Sequence, residues 1–127
     1  MNNKVIFVDD DEALLGLYRN IFDKTDYNIF TESNPEKAIQ TIEDERIQVM
    51  TFDLKMPGID GIELCRRIRD KNNIAVIFAI TGHFSLFELS EVREAGFDDY
   101  FKKPGDIKLL VPAVENAFEN LKRWSTT

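Results

Sequence analysis

Three carboxylates in a row, Asp9, Asp10 and Asp11, stand directly behind the apolar run Val5-Ile6-Phe7-Val8. Close carboxylates repel, and they stay ionised together only if a cation or a strong donor compensates. Further along, Asp53 follows Val49-Met50-Thr51-Phe52, Thr81 follows the run Ala75–Ile80, and Lys103 follows Tyr100-Phe101. If these run ends meet, the cluster holds three carboxylates, one hydroxyl and one ammonium. Hard oxygen ligands at near-octahedral geometry suit Mg²⁺, which keeps several waters. A carboxylate can also serve as a phosphoryl-accepting nucleophile. Phosphoryl transfer then needs positioning and positive charge around the equatorial oxygens, which Mg²⁺ and Lys103 could supply. The Thr81 hydroxyl could bond a phosphoryl oxygen.

The elements that must position these groups are readable from periodicity. Short apolar, β-branched or aromatic runs recur at Val5–Val8, Tyr27–Phe30, Val49–Phe52, Ala75–Ile80 and Tyr100–Phe101, and they read as strands. Helical spacing lies between them. Leu14, Leu17, Tyr18 and Ile21 fall on one face, widened by Leu15 and Phe22. Asn34-Pro35 is a cap followed by a first-turn proline, with Ala38, Ile39 and Ile42 facing inward. Gly61 precedes Ile62, Leu64, Cys65 and Ile68; Leu86, Leu89, Val92 and Ala95 lead to Gly96, a natural C′ residue. Asp106 can cap a last helix carrying Leu109, Leu110, Val114, Ala117, Phe118 and Leu121. Pro112 falls inside that pattern; it should remove the bond to the Lys108 carbonyl and bend the helix.

Strand and helix alternate five times, which implies an α/β fold with a parallel sheet covered on both faces. In such sheets ligands bind beyond the carboxyl ends of the strands, at the switch in strand order. Asp9, Asp10, Asp53, Thr81 and Lys103 therefore converge on one open edge. Each also has a plainer reading. Asp11 is better suited to capping the first helix than to binding metal. Asp9, Asp10 and Asp53 could be turn carboxylates, Lys103 a surface lysine, and Thr81 a strand-ending threonine. Tyr100 could be a half-buried aromatic, and Cys65 reads as core. Phe84, Leu86 and Phe87 could pack or form a partner surface.

At 127 residues the chain is expected to form one domain over residues 1–124 with a short tail, 125–127. The net charge of −7 argues against nucleic-acid and membrane-surface binding, which select basic faces. The basic stretch Arg66, Arg67, Arg69 and Lys71 is expected to be a solvated helix face. A single cysteine excludes an intrachain disulfide and fits a reducing compartment. With no membrane-length apolar window and no signal-peptide pattern, a cytoplasmic location is expected.

The motifs Val8-Asp9-Asp10, Asp53-Leu54-Lys55-Met56-Pro57-Gly58-Ile59-Asp60-Gly61, Thr81-Gly82 and Lys103-Pro104 occur here in one order and spacing. In these, the chain resembles the receiver domain of two-component response regulators over essentially its whole length. The resemblance implies a flavodoxin-like fold with strand order 2-1-3-4-5. It implies that Asp53 is the phosphoacceptor. Asp10, Asp53 and the Lys55 backbone carbonyl would bind Mg²⁺ directly, with Asp9 helping through water. Lys103 would contact the phosphoryl group, Thr81 and Tyr100 would form a switch pair, and Lys103-Pro104 is a candidate cis peptide. Lys55 and His83 would tune the lifetime of the phosphorylated state. The family commonly places a bulky residue after Lys-Pro; here it is Gly105, which would loosen the loop before the last helix.

On this reading the chain is a phosphorylatable signalling module rather than an enzyme with turnover. Its phosphoryl donor would be a histidine kinase or phosphotransfer protein, and its target an effector or output domain on another chain. The competing reading is a Mg²⁺-dependent phosphohydrolase with an aspartyl nucleophile, for which Asp9-x-Asp11 formally has the spacing. That reading leaves Asp53 unexplained. An interaction module that is never phosphorylated is disfavoured because every chemical position is filled. A nucleotide-binding flavodoxin-type protein is disfavoured because no Gly-rich phosphate loop follows the first strand.

Overall fold

The computed structural model of the chain describes residues 2–82 and 89–125. Five strands, β1 (Lys4–Val8), β2 (Asn28–Glu32), β3 (Val49–Asp53), β4 (Val76–Thr81) and β5 (Asp99–Lys102), form one sheet. Its order is β2-β1-β3-β4-β5, and every neighbouring pair is parallel. This is the expected 2-1-3-4-5 order. Between the strands run α1 (Glu12–Ile21), α2 (Pro35–Glu45), α3 (Gly61–Arg69) and α4 (Leu89–Ala95). After β5 come a 3₁₀ turn at Ile107–Leu109 and α5 (Leu110–Ser125).

The alternation of side chains along each strand divides the core in two. Ile6, Val8, Met50, Phe52 and Ala79 face α2, α3 and α4, where Ala38, Leu64, Cys65 and Val92 meet them. Val5, Phe7, Val49, Phe78 and Ile80 face α1 and α5, against Leu15, Tyr18, Leu110 and Val114. Both faces of the three central strands are thereby buried, which is why those strands read as near-continuous apolar runs.

Local signals place most helix ends. Asn34 caps α2 by accepting from the Glu36 and Lys37 amides, with Pro35 as its first residue. Asp11 caps α1 through Leu14 N at 3.2 Å. Gly96 ends α4 with φ +108°, and a Cβ there would lie 2.7 Å from the Arg69 side chain.

Several sequence expectations need correction. Leu17 is 42% exposed, so it lies outside the apolar stripe of α1. Leu109 sits in the 3₁₀ turn and is 46% exposed. Asp106 makes no capping bond to the last helix; its carboxylate instead accepts from Lys102 N at 3.0 Å, closing the loop after β5. Pro112 is the third residue of α5, because the 3₁₀ turn ends at Leu109. First-turn amides have no intrahelical partner, so the proline costs the helix no bond there. His83, Phe84, Leu86 and Phe87 lie outside the described residues.

Arg69 also departs from the expected solvated face. Its guanidinium donates to Gly96 O at 2.8 Å, Ala75 O at 2.6 Å and Asp98 Oδ2 at 2.8 Å. Asp98 Oδ2 also accepts from Ile77 N at 2.8 Å. One side chain thus ties the end of α3 to the starts of β4 and β5. Arg67, by contrast, pairs among the described residues with Glu63 one turn away on the surface. Charge-assisted bonds from a mostly buried guanidinium leave stranded carbonyls when removed, so Arg69→Ala should lower the unfolding free energy by about 2–3 kcal/mol. Arg67→Ala should change it by less than about 0.5 kcal/mol. Denaturant unfolding of the two variants checks the contrast.

Candidate functional site

Strands β1 and β3 are neighbours in register, Val8 beside Phe52, so the residues that follow them emerge together. Asp9, Asp10 and Asp53 each place a carboxylate oxygen within 4.8 Å of the others. Asp53 is itself the last residue of β3 and Thr81 the last of β4, rather than loop residues just beyond. Asp9 and Asp53 are 1% and 4% exposed, whereas Asp10 is open to solvent. Asp11 lines the same pocket but is not part of that carboxylate group; it accepts from Leu14 N as the helix cap.

Lys103 reaches this group from the far side of the sheet. Its Nζ donates to Asp9 Oδ2 at 2.7 Å. It lies 3.3 Å from Asp53 Oδ1, an ion-pair contact whose angles do not make a hydrogen bond. The lysine is aimed by its backbone: Lys103 N donates to Thr81 O at 2.9 Å, and the Lys103-Pro104 bond is cis, as expected.

The other wall is the loop from β3 to α3. Lys55, Met56 and Pro57 line the pocket together with Gly82 and Leu14. Gly61 N donates to Leu54 O at 3.0 Å, and a Cβ on Gly61 would fall 2.2 Å from the Asp53 carbonyl oxygen. Only glycine lets α3 start this close to the strand end. Asp60 caps that helix through Glu63 N at 2.9 Å, which turns the loop back over the site.

One ammonium does not neutralise three carboxylates. Burial pushes the Asp53 carboxyl up to about 6; the neighbouring Asp9 charge adds to the rise and Lys103 opposes it. Asp9 is also raised, because burial outweighs its bond to Lys103 and the Asp11 amide. The donor set is all hard oxygen on one concave edge, which fits a small divalent cation.

Thr81 is fully buried. It falls on the same pleat side of β4 as Ala79, whose register partner on β5 is Tyr100. Tyr100 is half-buried against the α3–α4 core. The structure therefore brings together Asp9, Asp10, Asp53, Lys55 and Lys103; Thr81 ends the adjoining strand β4, and Tyr100 lies on β5 diagonal to it, opposite Ala79.

Comparison with known proteins agrees with this geometry. Residues 5–115 match the family described as the response regulator receiver domain. The chain belongs to that family. It is 31% identical over 115 residues to sporulation initiation phosphotransferase F of Bacillus subtilis, covering 91% of this chain and 93% of that one. It is 32% identical over 104 residues to the alkaline phosphatase synthesis transcriptional regulatory protein PhoP of the same organism. That match covers 82% of this chain but spans only 43% of the relative's length. A receiver domain structure from Methanospirillum hungatei superposes with a TM-score of 0.86 at 22% identity, covering 97% and 98% of the two chains. As a receiver domain the chain is a signalling module of two-component systems, a family whose acidic pocket binds Mg²⁺.

Tyr18 in the apolar stripe of α1 and Thr51 in the β3 run carry polarity that periodicity does not mark. Both are 1% exposed polar residues on the α1–α5 side of the sheet. Their spacing was the available signal, since Thr51 stands two residues before Asp53 and so shares its face.

The raised Asp53 carboxyl has a signed consequence. An acid whose pKa is higher folded than unfolded holds its proton better in the native state. Stability is therefore lost as pH rises from about 4 to about 6. Asp53→Asn lacks this loss. In chelator, its advantage over wild type in unfolding free energy should be near zero at pH 4 and reach about 2–3 kcal/mol above pH 7. Denaturant titrations across that range check both the sign and the window.

Proposed function

We propose that Asp53 accepts a phosphoryl group from a phosphohistidine on another protein, a histidine kinase or a phosphotransfer protein. The observation that carries this is the meeting of Asp9, Asp10 and Asp53 carboxylates within 4.8 Å beside one ammonium at 2.7 and 3.3 Å. An Asp53 oxygen attacks phosphorus, the phosphorus–nitrogen bond breaks, and an acyl phosphate forms. Attack by water later releases inorganic phosphate and restores the carboxylate. The chain thus undergoes self-phosphorylation and autodephosphorylation without acting as a turnover enzyme.

Asp10, Asp53 and the Lys55 carbonyl would hold Mg²⁺ directly, with Asp9 assisting through water. The bound ion supplies positive charge to the phosphoryl oxygens and offsets the carboxylate repulsion. Lys103 stands close enough to Asp53 to follow the phosphoryl group and balance its charge. The Thr81 hydroxyl bonds a phosphoryl oxygen, and Tyr100 responds behind it. New charge at Asp53 shifts the balance between two conformations and so changes the binding of an effector or output domain on another chain. A cytoplasmic setting suits a buried, unpaired Cys65. Among the described residues no helix is long and apolar enough to cross a membrane.

The phosphohydrolase reading is not favoured. It needs Asp11 in the cluster, and Asp11 is turned to the Leu14 amide.

Incubation with Mg²⁺ and acetyl phosphate, followed by mass spectrometry, tests the proposal. Wild type should gain one phosphoryl group, while Asp53→Asn and chelator-treated protein should gain none. Lys103→Ala should label at least about tenfold more slowly, as expected on losing a charge-stabilising group at the reacting centre. Labelling that survives in Asp53→Asn would place the acceptor elsewhere.

A further inference from the structure

Among the described residues, three buried side-chain oxygens lack a hydrogen-bond partner: Tyr18 Oη, Thr51 Oγ1 and Asp53 Oδ1. Two of them lie on one strand, and the third belongs to a ring that packs beside it across Phe7. Thr51 and Asp53 are two residues apart on β3 and project to the same face. Phe7 is the register partner of Thr51, and the Tyr18 ring stacks on Phe7 with centroids 4.6 Å apart. Helix α1 starts at the site edge with its Asp11 cap, and helical side chains lean toward the helix N-terminus. The Tyr18 ring therefore leans toward the carboxylates, with its hydroxyl at the leading end. Leu14, one turn nearer that edge, already lines the pocket.

The hydroxyls are not required to fill space, since phenylalanine and valine have nearly the same shapes. Buried hydroxyls without a protein partner are the groups that internal water satisfies, given two to four polar neighbours. Burial, then the charges of Asp9, Asp53 and Asp11, push the Tyr18 phenol well above its ordinary value, so it stays protonated and able to donate. Asp53 has a matching need. Its outer partner, Lys103, holds Oδ1 only by a 3.3 Å ion-pair contact. The carboxylate torsion is otherwise soft.

We propose that Tyr18 and Thr51 are positioning residues for Asp53. Their hydroxyls bind one internal water that donates to Asp53 Oδ1 and keeps the other carboxylate oxygen turned toward the pocket. The inference rests on Asp53 being the phosphoacceptor. A nucleophile held in one orientation reacts faster than one that samples several.

The test compares wild type, Tyr18→Phe, Thr51→Val, Thr51→Ser and the Tyr18→Phe/Thr51→Val double variant. The readout is the rate of phosphoryl gain from acetyl phosphate at saturating Mg²⁺, with Asp53→Asn as the control for the site. Tyr18→Phe and Thr51→Val should each label about three- to tenfold more slowly, because the carboxylate is less well aligned. The double variant should be no slower than the slower single, since one water serves both hydroxyls. Thr51→Ser, which restores the hydroxyl, should recover the wild-type rate. Melting temperatures of Tyr18→Phe and Thr51→Val should fall by no more than about 5 °C, because each keeps the side-chain shape and loses only one hydrogen bond to the water. A crystal structure should show the water within hydrogen-bond distance of all three oxygens. Wild-type rates in both single variants, multiplicative losses in the double, no recovery in Thr51→Ser, or dry packing of the three oxygens would each overturn the inference. In those cases labelling confined to Asp53 leaves the phosphoacceptor reading intact. No labelling of Asp53 in wild type overturns both.

Discussion

Crowded negative charge at the carboxyl edge of a parallel sheet is the constraint on which this molecule depends. Two of the three clustered carboxylates are almost fully buried, and a single lysine is shared between them. The remaining charge is held by the fold rather than neutralised by it. Asp53 consequently carries a raised pKa and Asp9 is raised as well, each chiefly through burial. A free-energy cost of this kind persists only where the surrounding structure over-determines it. A divalent cation would relieve it, because the clustered donors are all hard oxygens.

The sheet is what over-determines it. β1 and β3 deliver their ends side by side, β4 ends on the buried Thr81, and the chain after β5 returns Lys103 through an amide bond to Thr81. Gly61 allows α3 to abut the Asp53 carbonyl, so the loop carrying Lys55, Met56 and Pro57 forms one wall of the pocket. Far from the site, Arg69 locks the opposite edge, where β4 and β5 begin. The strands that bring Thr81 and Lys103 to the charged edge are thus anchored at their opposite ends.

Asp9, Asp10, Asp53, Thr81 and Lys103 could be placed on one edge from sequence because parallel topology leaves them nowhere else to go. Strand order was accessible for the same reason. Features decided by tertiary contacts were not accessible. Asp106 had the type and position of a helix cap, yet its carboxylate accepts from the amide of Lys102. Pro112 looked disruptive only because the 3₁₀ turn that moves the start of α5 to Leu110 leaves no mark in the apolar spacing. Arg69 sat in a basic run typical of a solvated surface, and the carbonyls it binds lie 3 to 27 residues away in sequence. Tyr18 and Thr51 passed as ordinary members of apolar stripes. Their polarity mattered only once the fold had buried both hydroxyls without a protein partner among the described residues.

The central claim is that these carboxylates form a site whose repulsion a divalent cation relieves. The most direct measurement is melting temperature against MgCl₂ at fixed ionic strength and neutral pH, for wild type and Asp10→Asn. A cation that binds only the folded state stabilises it in a saturable way. Wild type should show a saturable rise, and Asp10→Asn, which keeps the buried pair but removes the exposed carboxylate, should show little. A melting temperature insensitive to Mg²⁺, or an equal rise in both proteins, would contradict the claim.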